Sequence, residues 1–277
     1  MNIFLTGGTG FIGKKFLLLA LKAGHSVYAL SRQKQKIKHK NLKWLNGKLT
    51  YDWQKELKKS DILVHLASDG VNNKTISYKD AFKFNVSESL LLFKHAAKYN
   101  CKNWLISGSS SEYGLNCIGK KKLSIKTKAL PKTNYEKTKN IFSLKISLLA
   151  RNKKCKCRIM RIFPVYGDGE NKKRLFPSLI NAAKKGKDFH INNGNQIRDF
   201  TKVEFVSRII LDACNFDKKK FTSTQIWHIS SGVPLSVKDF SKKMWKKFGA
   251  TGKLIFTKTL KKNYHNYISA HKSIWKG

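Results

Sequence analysis

Short apolar runs alternate with longer stretches in which apolar residues recur every three or four positions. Asn2–Thr6 (NIFLT), Ser26–Ser31 (SVYALS), Leu42–Leu45, Ile62–Leu66 (ILVHL), Trp104–Ser107 (WLIS) and Arg158–Phe163 (RIMRIF) have strand length and strand composition. Between them, Phe11–Ala23, Lys79–Tyr99 and Tyr135–Arg151 carry apolar residues on one helical face. Apolar strands separated by helices predict an α/β fold, with a doubly wound parallel sheet covered on both faces. After Pro164 the elements shorten. Leu175–Lys185 and Val203–Cys214 read as helices, Gln196–Phe200 as extended and Gln225–Ile229 as a strand. Ser236 and Asp239 form a capping signal for a helix running to Phe248. The expected organisation is a main domain over 1–163 and a smaller, interleaved C-terminal substrate lobe over 164–277. A segment of that lobe, about 203–230, is expected to return to the main sheet.

Composition narrows the class. A chain of 277 residues with 41% hydrophobic residues can bury a sizeable core. The apolar run FLLLALKAG (16–24) is interrupted by Lys22 and lacks a secretion leader's flanks, so the expectation is a cytoplasmic protein with no membrane insertion. Five scattered cysteines do not make a disulfide framework. Cys155-x-Cys157 is too closely spaced for a metal pair and reads as a buried strand edge, so no metal is expected.

The net charge of +41 raises the question of a polyanion partner. Of the 57 basic residues only seven are Arg, and the lysines run from end to end. Specific phosphate and base recognition favours the planar Arg fork. The charge therefore reads as a solvated, lysine-rich surface with no specific nucleic-acid partner, although low-salt adhesion to RNA is expected.

The first strand runs into Gly7-Gly8-Thr9-Gly10-Phe11-Ile12-Gly13, which opens a helix. Glycine permits the tight turn, lets backbone N–H groups approach a pyrophosphate and packs helix on strand. Strand before and helix after make this a dinucleotide-binding turn of Rossmann type, formed by Gly7, Gly10, Phe11, Ile12 and Gly13. The second strand ends in Ser31-Arg32, where a carboxylate would select NAD and an Arg suits the 2′-phosphate of NADP. NADP(H) is therefore the preferred cofactor, with NAD(H) possible.

Two Tyr-x-x-x-Lys pairs occur, Tyr51/Lys55 and Tyr135/Lys139, about what chance gives in so lysine-rich a chain. Context separates them. Tyr135 and Lys139 begin a long helix and share its face. The strand ending ISGSSSEYG delivers Ser107, Ser109, Ser110 and Ser111 to the same carboxyl edge of the sheet. Tyr51/Lys55 has no such setting and reads as surface.

With these motifs in order, the sequence resembles the extended short-chain dehydrogenases/reductases, the group of nucleotide-sugar epimerases, dehydratases and ketoreductases. The resemblance rests on TGGTGFIG (6–13), DILVHLAS (61–68), Asn85 in FKFNVSES, SGSSSEYG (107–114), Tyr135/Lys139, RIFPVYG (161–167), QIRDF (196–200) and HISSGVPLSVKDF (228–240). It implies Tyr135 as proton-transfer group, Lys139 as the cation that lowers the phenol's pKa and holds the nicotinamide ribose, and Ser109 as donor to the substrate oxygen. It further implies Leu66, Ala67, Ser68 and Pro164 along the cofactor, and Asn85 ordering the site. Arg198 and Arg174 are implied at the diphosphate of a nucleotide-linked sugar. Relatives also suggest a homodimer through helices 79–99 and 135–151.

The chain departs from the family pattern at Gly47-Lys48, where relatives often have Gly-Asp, and at Phe205, where they often have Asp. Dehydratases of the group place an Asp-Glu pair where Ser110-Ser111 stand. The expected reaction is therefore NADPH-dependent reduction of a nucleotide-linked 4-keto-6-deoxysugar. A 4-epimerase is the alternative within the family, and a non-catalytic NADP- or RNA-binding scaffold is the alternative outside it.

Overall fold

A computed structural model describes residues 1–71, 76–119, 122–192, 194–216, 224–257 and 266–269. The strands are β1 (Asn2–Thr6), β2 (Ser26–Ser31), β3 (Leu42–Asn46), β4 (Ile62–His65), β5 (Asn103–Ser109), β6 (Lys156–Ile162) and β7 (Val165–Tyr166), followed by β8 (Phe189–Asn192), β9 (Ile197–Asp199), β10 (Thr201–Lys202), β11 (Thr224–Ile229), β12 (Pro234–Ser236) and β13 (Leu254–Thr257). The helices are α1 (Phe11–Lys22), α2 (Gln54–Lys58), α3 (Tyr78–Phe82), α4 (Ser89–Lys98), α5 (Asn134–Asn152), α6 (Leu175–Lys184), α7 (Val203–Asp212) and α8 (Val237–Lys247).

Seven strands make one sheet in the order β11-β6-β5-β4-β1-β2-β3, and every pair is parallel. The chain winds outward from β1 through β2 to β3, then crosses back to β4 and continues on the other side. The reversal leaves a crevice at the carboxyl ends of β1 and β4, where ligands of such sheets sit. This is the doubly wound α/β fold that the alternating pattern predicts. Strands covered on both faces read as unbroken apolar runs for a physical reason: in β4 every residue is buried.

One face is covered by α1 and α7, which bury Phe16, Leu17 and Ala20 against Val206, Ile209 and Ile210. The other is covered by α4 and α5, with Leu92, Phe93, Trp104, Phe142 and Ile146 at its centre. Phe205 packs at the edge of the first of these layers. A separate apolar cluster joins α6 and α8, where Phe200 stacks on Phe240 at 3.9 Å between centroids. β11 pairs in parallel with β6 at one edge of the main sheet. Residues 217–223 of the segment expected to return to that sheet lie outside the described residues.

The helix expected over 79–99 is not continuous. A π-helical turn, Lys83–Glu88, separates α3 from α4. Within it Ser89 Oγ donates to the Phe84 carbonyl at 2.9 Å, and Asn85 is drawn inward by partners on two other segments. An apolar periodicity cannot reveal one inserted residue, and such wide turns concentrate at functional sites.

Candidate active site

The crevice opens into a cleft of about 720 Å³. Its floor is the turn from β1 into α1. Gly7 has φ +74°, and a Cβ there would meet the Leu66 and Ala67 backbone. A Cβ on Gly13 would collide with the Gly7 carbonyl oxygen. The N-cap of α1 is Gly10, which offers no side-chain cap, and no acidic residue stands in the first turn. The first N–H groups of a helix have no intrahelical acceptor, so bare backbone donors at a positive dipole end line the cleft with Phe11 and Ile12. These residues fit the pyrophosphate of a dinucleotide.

The second wall comes from β5 and α5. β5 carries Ser107, Ser109, Ser110 and Ser111 to the cleft edge, and α5 presents Tyr135 and Lys139 beside them. The start of α5 is fixed by a capping box: Thr133 Oγ1 accepts from the Glu136 N–H, and Glu136 Oε2 accepts from the Thr133 N–H at 3.0 Å. Lys139 is buried, and its Nζ donates to the Ser107 carbonyl at 2.5 Å. Burial pushes its pKa down to about 8, with Glu112 pulling the other way. Tyr135 is half-buried. Burial raises its pKa, while hydrogen bonding from Ser109 and Ser68 and the charge of Arg174 oppose the rise.

In the described geometry the serines and Arg174, rather than the Lys139 ammonium, favour the Tyr135 phenolate, and burial outweighs them. One of the three Lys139 N–H donors is used on the Ser107 carbonyl. The result is a phenol held in its protonated form.

Asn85 does not line the cleft but braces it from behind. Its Oδ1 accepts from the Asp69 N–H at 2.8 Å and the Ser68 hydroxyl at 3.3 Å. Its Nδ2 donates to the Asp69 carbonyl at 3.0 Å and Thr138 Oγ1 at 3.2 Å. It thereby ties the loop after β4 to the helix that bears Tyr135. Leu66, Ser68 and Pro164 line the cleft; Ala67 stands behind Leu66, its N–H toward Thr6 Oγ1 at 3.4 Å.

Ser31 and Arg32 lie apart, at the end of β2. Ser31 is buried and donates to the Gln33 carbonyl at 2.8 Å. Arg32 is exposed, with its guanidinium 5.9 Å from the centre of the Phe84 ring. At the opposite end of the cleft stand Arg174, at the N-cap of α6, and Arg198 on β9. Arg198 donates to Gln196 Oε1 at 2.8 Å, and its buried Nε has no partner. Tyr51 is exposed, as the surface reading of that pair requires.

Sequence reasoning missed the layer beneath the serines. Glu112 is fully buried; its Oε1 accepts from the Ser109 N–H at 2.7 Å and its Oε2 lies 3.4 Å from Arg161 Nε. Arg161 also donates to the Tyr113 hydroxyl at 2.9 Å. Burial raises the Glu112 carboxyl and Arg161 opposes that rise. The available signal was compositional, since Glu112 is one of only 16 acidic residues and sits inside the serine motif. His65 was missed too. It lies between Thr6 Oγ1 (2.8 Å) and Ser89 Oγ (3.2 Å), and burial together with Lys139 pushes it down to about 3.

Comparison with known proteins places this geometry. Residues 3–226 match the family described as NAD dependent epimerase/dehydratase. CDP-abequose synthase of Salmonella typhimurium is 26% identical over 248 residues, covering 86% of this chain and 78% of that protein. Among solved structures, MoeE5 in complex with UDP-glucose and NAD superposes with a TM-score of 0.83 at 22% identity, over 98% of this chain and 89% of that one. UDP-N-acetylglucosamine 4-epimerase from Methanobrevibacter ruminantium gives 0.85 at 20% identity, over 97% and 88%. The chain belongs to the NAD dependent epimerase/dehydratase family, and is an enzyme of the extended short-chain dehydrogenase/reductase type.

Proposed function

We propose that this protein reduces a nucleotide-linked 4-keto-6-deoxysugar with NADPH. The observation that carries the reading is the convergence of the Tyr135 phenol, the Ser109 hydroxyl and the Lys139 ammonium in one cleft with the glycine turn. A protonated phenol is equipped to give a proton, which is the demand of reduction. When bound, the nicotinamide supplies the hydride. Ser109 donates a hydrogen bond to the carbonyl oxygen as negative charge develops there, and Tyr135 delivers the proton to it. The Lys139 ammonium, held by the Ser107 carbonyl, has two further N–H donors for the cofactor ribose hydroxyls.

Ser110 and Ser111, where sugar dehydration would need an acid–base pair, argue against that reaction. Arg174 and Arg198 at the far end of the cleft suit a nucleotide diphosphate. The exposed Arg32 at the end of β2 supports NADPH over NADH. The relative named for CDP-abequose synthesis supports a nucleotide-linked sugar as substrate. In this reading residues 1–163 hold the cofactor and 164–277 chiefly the substrate. Leu144 and Leu148, 64% and 50% exposed on α5, support a homodimer through that helix. A cytoplasmic location fits the absence, among the described residues, of any helix long and apolar enough to cross a membrane.

A 4-epimerase is the second reading, favoured by the likeness to a UDP-N-acetylglucosamine 4-epimerase. The test is incubation of purified protein with a panel of nucleotide-linked sugars and either NADPH or NADH. Net oxidation of NADPH with a 4-keto sugar supports reduction. Interconversion of 4-hydroxyl epimers without net cofactor change supports the epimerase. Neither outcome, with cofactor bound, leaves the scaffold reading.

A further inference from the structure

The loop joining β7 to α6 places a carboxylate where a diphosphate site would not want one. Glu170 lines the cleft with Arg174 and Arg198. Its side chain is only 10% exposed. Oε1 lies 3.8 Å from Arg174 Nε, the Gly167 N–H is also directed at the carboxylate, and Oε2 is buried with no donor in hydrogen-bonding geometry.

The loop that holds Glu170 is built. Lys15 of α1 lies 3.5 Å from the exposed Asp168 at its start. Gly167 and Gly169 take left-handed φ values of +148° and +91°, which L residues rarely adopt. The Glu170 N–H donates to the Gly167 carbonyl at 3.3 Å, and the Arg174 N–H to the Asn171 carbonyl at 2.8 Å. The loop backbone is thus ordered, and it presents the Glu170 side chain inward.

A buried acceptor without a donor costs free energy unless something supplies one. Its anionic form also opposes the approach of a diphosphate to the neighbouring arginines. Both penalties are offset if the ligand brings a hydroxyl as well as phosphates. Glu170, Arg174, Ser109 and Tyr135 line the same cleft, so a ligand held by the arginines brings its sugar within the same enclosure.

We propose that Glu170 is a substrate-contacting, specificity-determining residue whose free Oε2 accepts a hydrogen bond from a hydroxyl of the sugar. The inference rests on the nucleotide-sugar reading and deepens it. Glu170 selects the sugar, while the arginines hold the diphosphate common to all such ligands.

The experiment is calorimetric binding of UDP, UDP-glucose, CDP and CDP-glucose to the full chain saturated with NADPH, for wild type, Glu170→Gln and Glu170→Ala. The quantity read is the gain in affinity from nucleoside diphosphate to its sugar conjugate. Glu170→Ala should lower that gain at least fivefold while UDP or CDP binds as tightly as before or tighter. Glu170→Gln, which keeps an acceptor oxygen, should retain part of it. Parallel weakening of diphosphate and sugar conjugate would show a merely structural role and overturn the inference. An unchanged gain, or no gain in wild type, overturns it as well. If the gain behaves as expected but no NADPH is consumed with keto sugars, the reductase reading fails and this one stands.

Discussion

A catalytic Lys139, as proposed, gives the site a pH dependence. Its pKa is pushed down to about 8 by burial, so the ammonium is the main form at neutral pH and is lost above it. The pH profile of kcat/KM should therefore fall on the basic side through about 8. The Glu112 carboxylate opposes the depression, so Glu112→Gln should move that limb to lower pH; an unmoved limb would contradict the coupling. His65 carries a stability prediction. Its folded-state pKa lies near 3, well below the ordinary 6.5. The unfolded chain takes up that proton first as pH falls, so the stability from neutral His65 is intact above pH 6.5 and lost progressively toward 3. Glu170, raised to about 7, acts in the opposite sense as its native carboxyl takes a proton before the unfolded one. The clean observable is thus a difference: wild type minus His65→Asn should lose about 1.4 kcal/mol per pH unit between pH 6 and 4 by denaturant unfolding. At this scale Ser109, Tyr135 and Lys139 were legible because strand ends and helix starts in such a sheet converge. Glu112 and Glu170 were not, because a buried carboxylate is defined by what folds over it.

At the scale of elements, the turn from β1 into α1 was readable because its glycines have a steric cause. A Cβ on Gly13 would meet the Gly7 carbonyl, so the helix could not enter the turn at its present angle. Gly13→Ala should cost about 1–3 kcal/mol in chemical denaturation and weaken NADPH binding at least tenfold by fluorescence titration. Wild-type-like affinity would show that the tight approach is dispensable. Strands β1 and β2 match their sequence limits, since double burial leaves an unbroken apolar run. The break between α3 and α4 did not show, because the π turn depends on Ser89 and on Asn85 reaching across to the loop after β4 and to α5. Those partners are remote in sequence. The same holds for segment 266–269, where the Tyr267 N–H donates to the Ile197 carbonyl at 3.0 Å and pairs alongside the strand that carries Arg198.

For the whole molecule, the reversal of strand order puts the glycine turn, the serine cluster and the start of α5 around one cleft, which local pattern could predict. The partner surface is less legible from sequence, because exposure of an apolar residue depends on the finished fold. Leu144 and Leu148 face outward on α5 while Phe142 and Ile146 are buried. If α5 pairs with its copy, the double variant Leu144→Asp/Leu148→Asp should sediment as a monomer where wild type sediments as a dimer; equal behaviour would remove the proposed interface. The net charge of +41 makes low-salt adhesion to RNA expected and its loss at physiological salt equally so. The most direct measurement of the central claim is the absorbance of reduced nicotinamide in a mixture of protein, NADPH and a nucleotide-linked 4-keto-6-deoxysugar. It should be run in parallel with wild type and Tyr135→Phe. The account predicts steady loss of the reduced cofactor with wild type, and turnover lowered at least a hundredfold in the variant with NADPH affinity unchanged. Equal turnover by both proteins would contradict it.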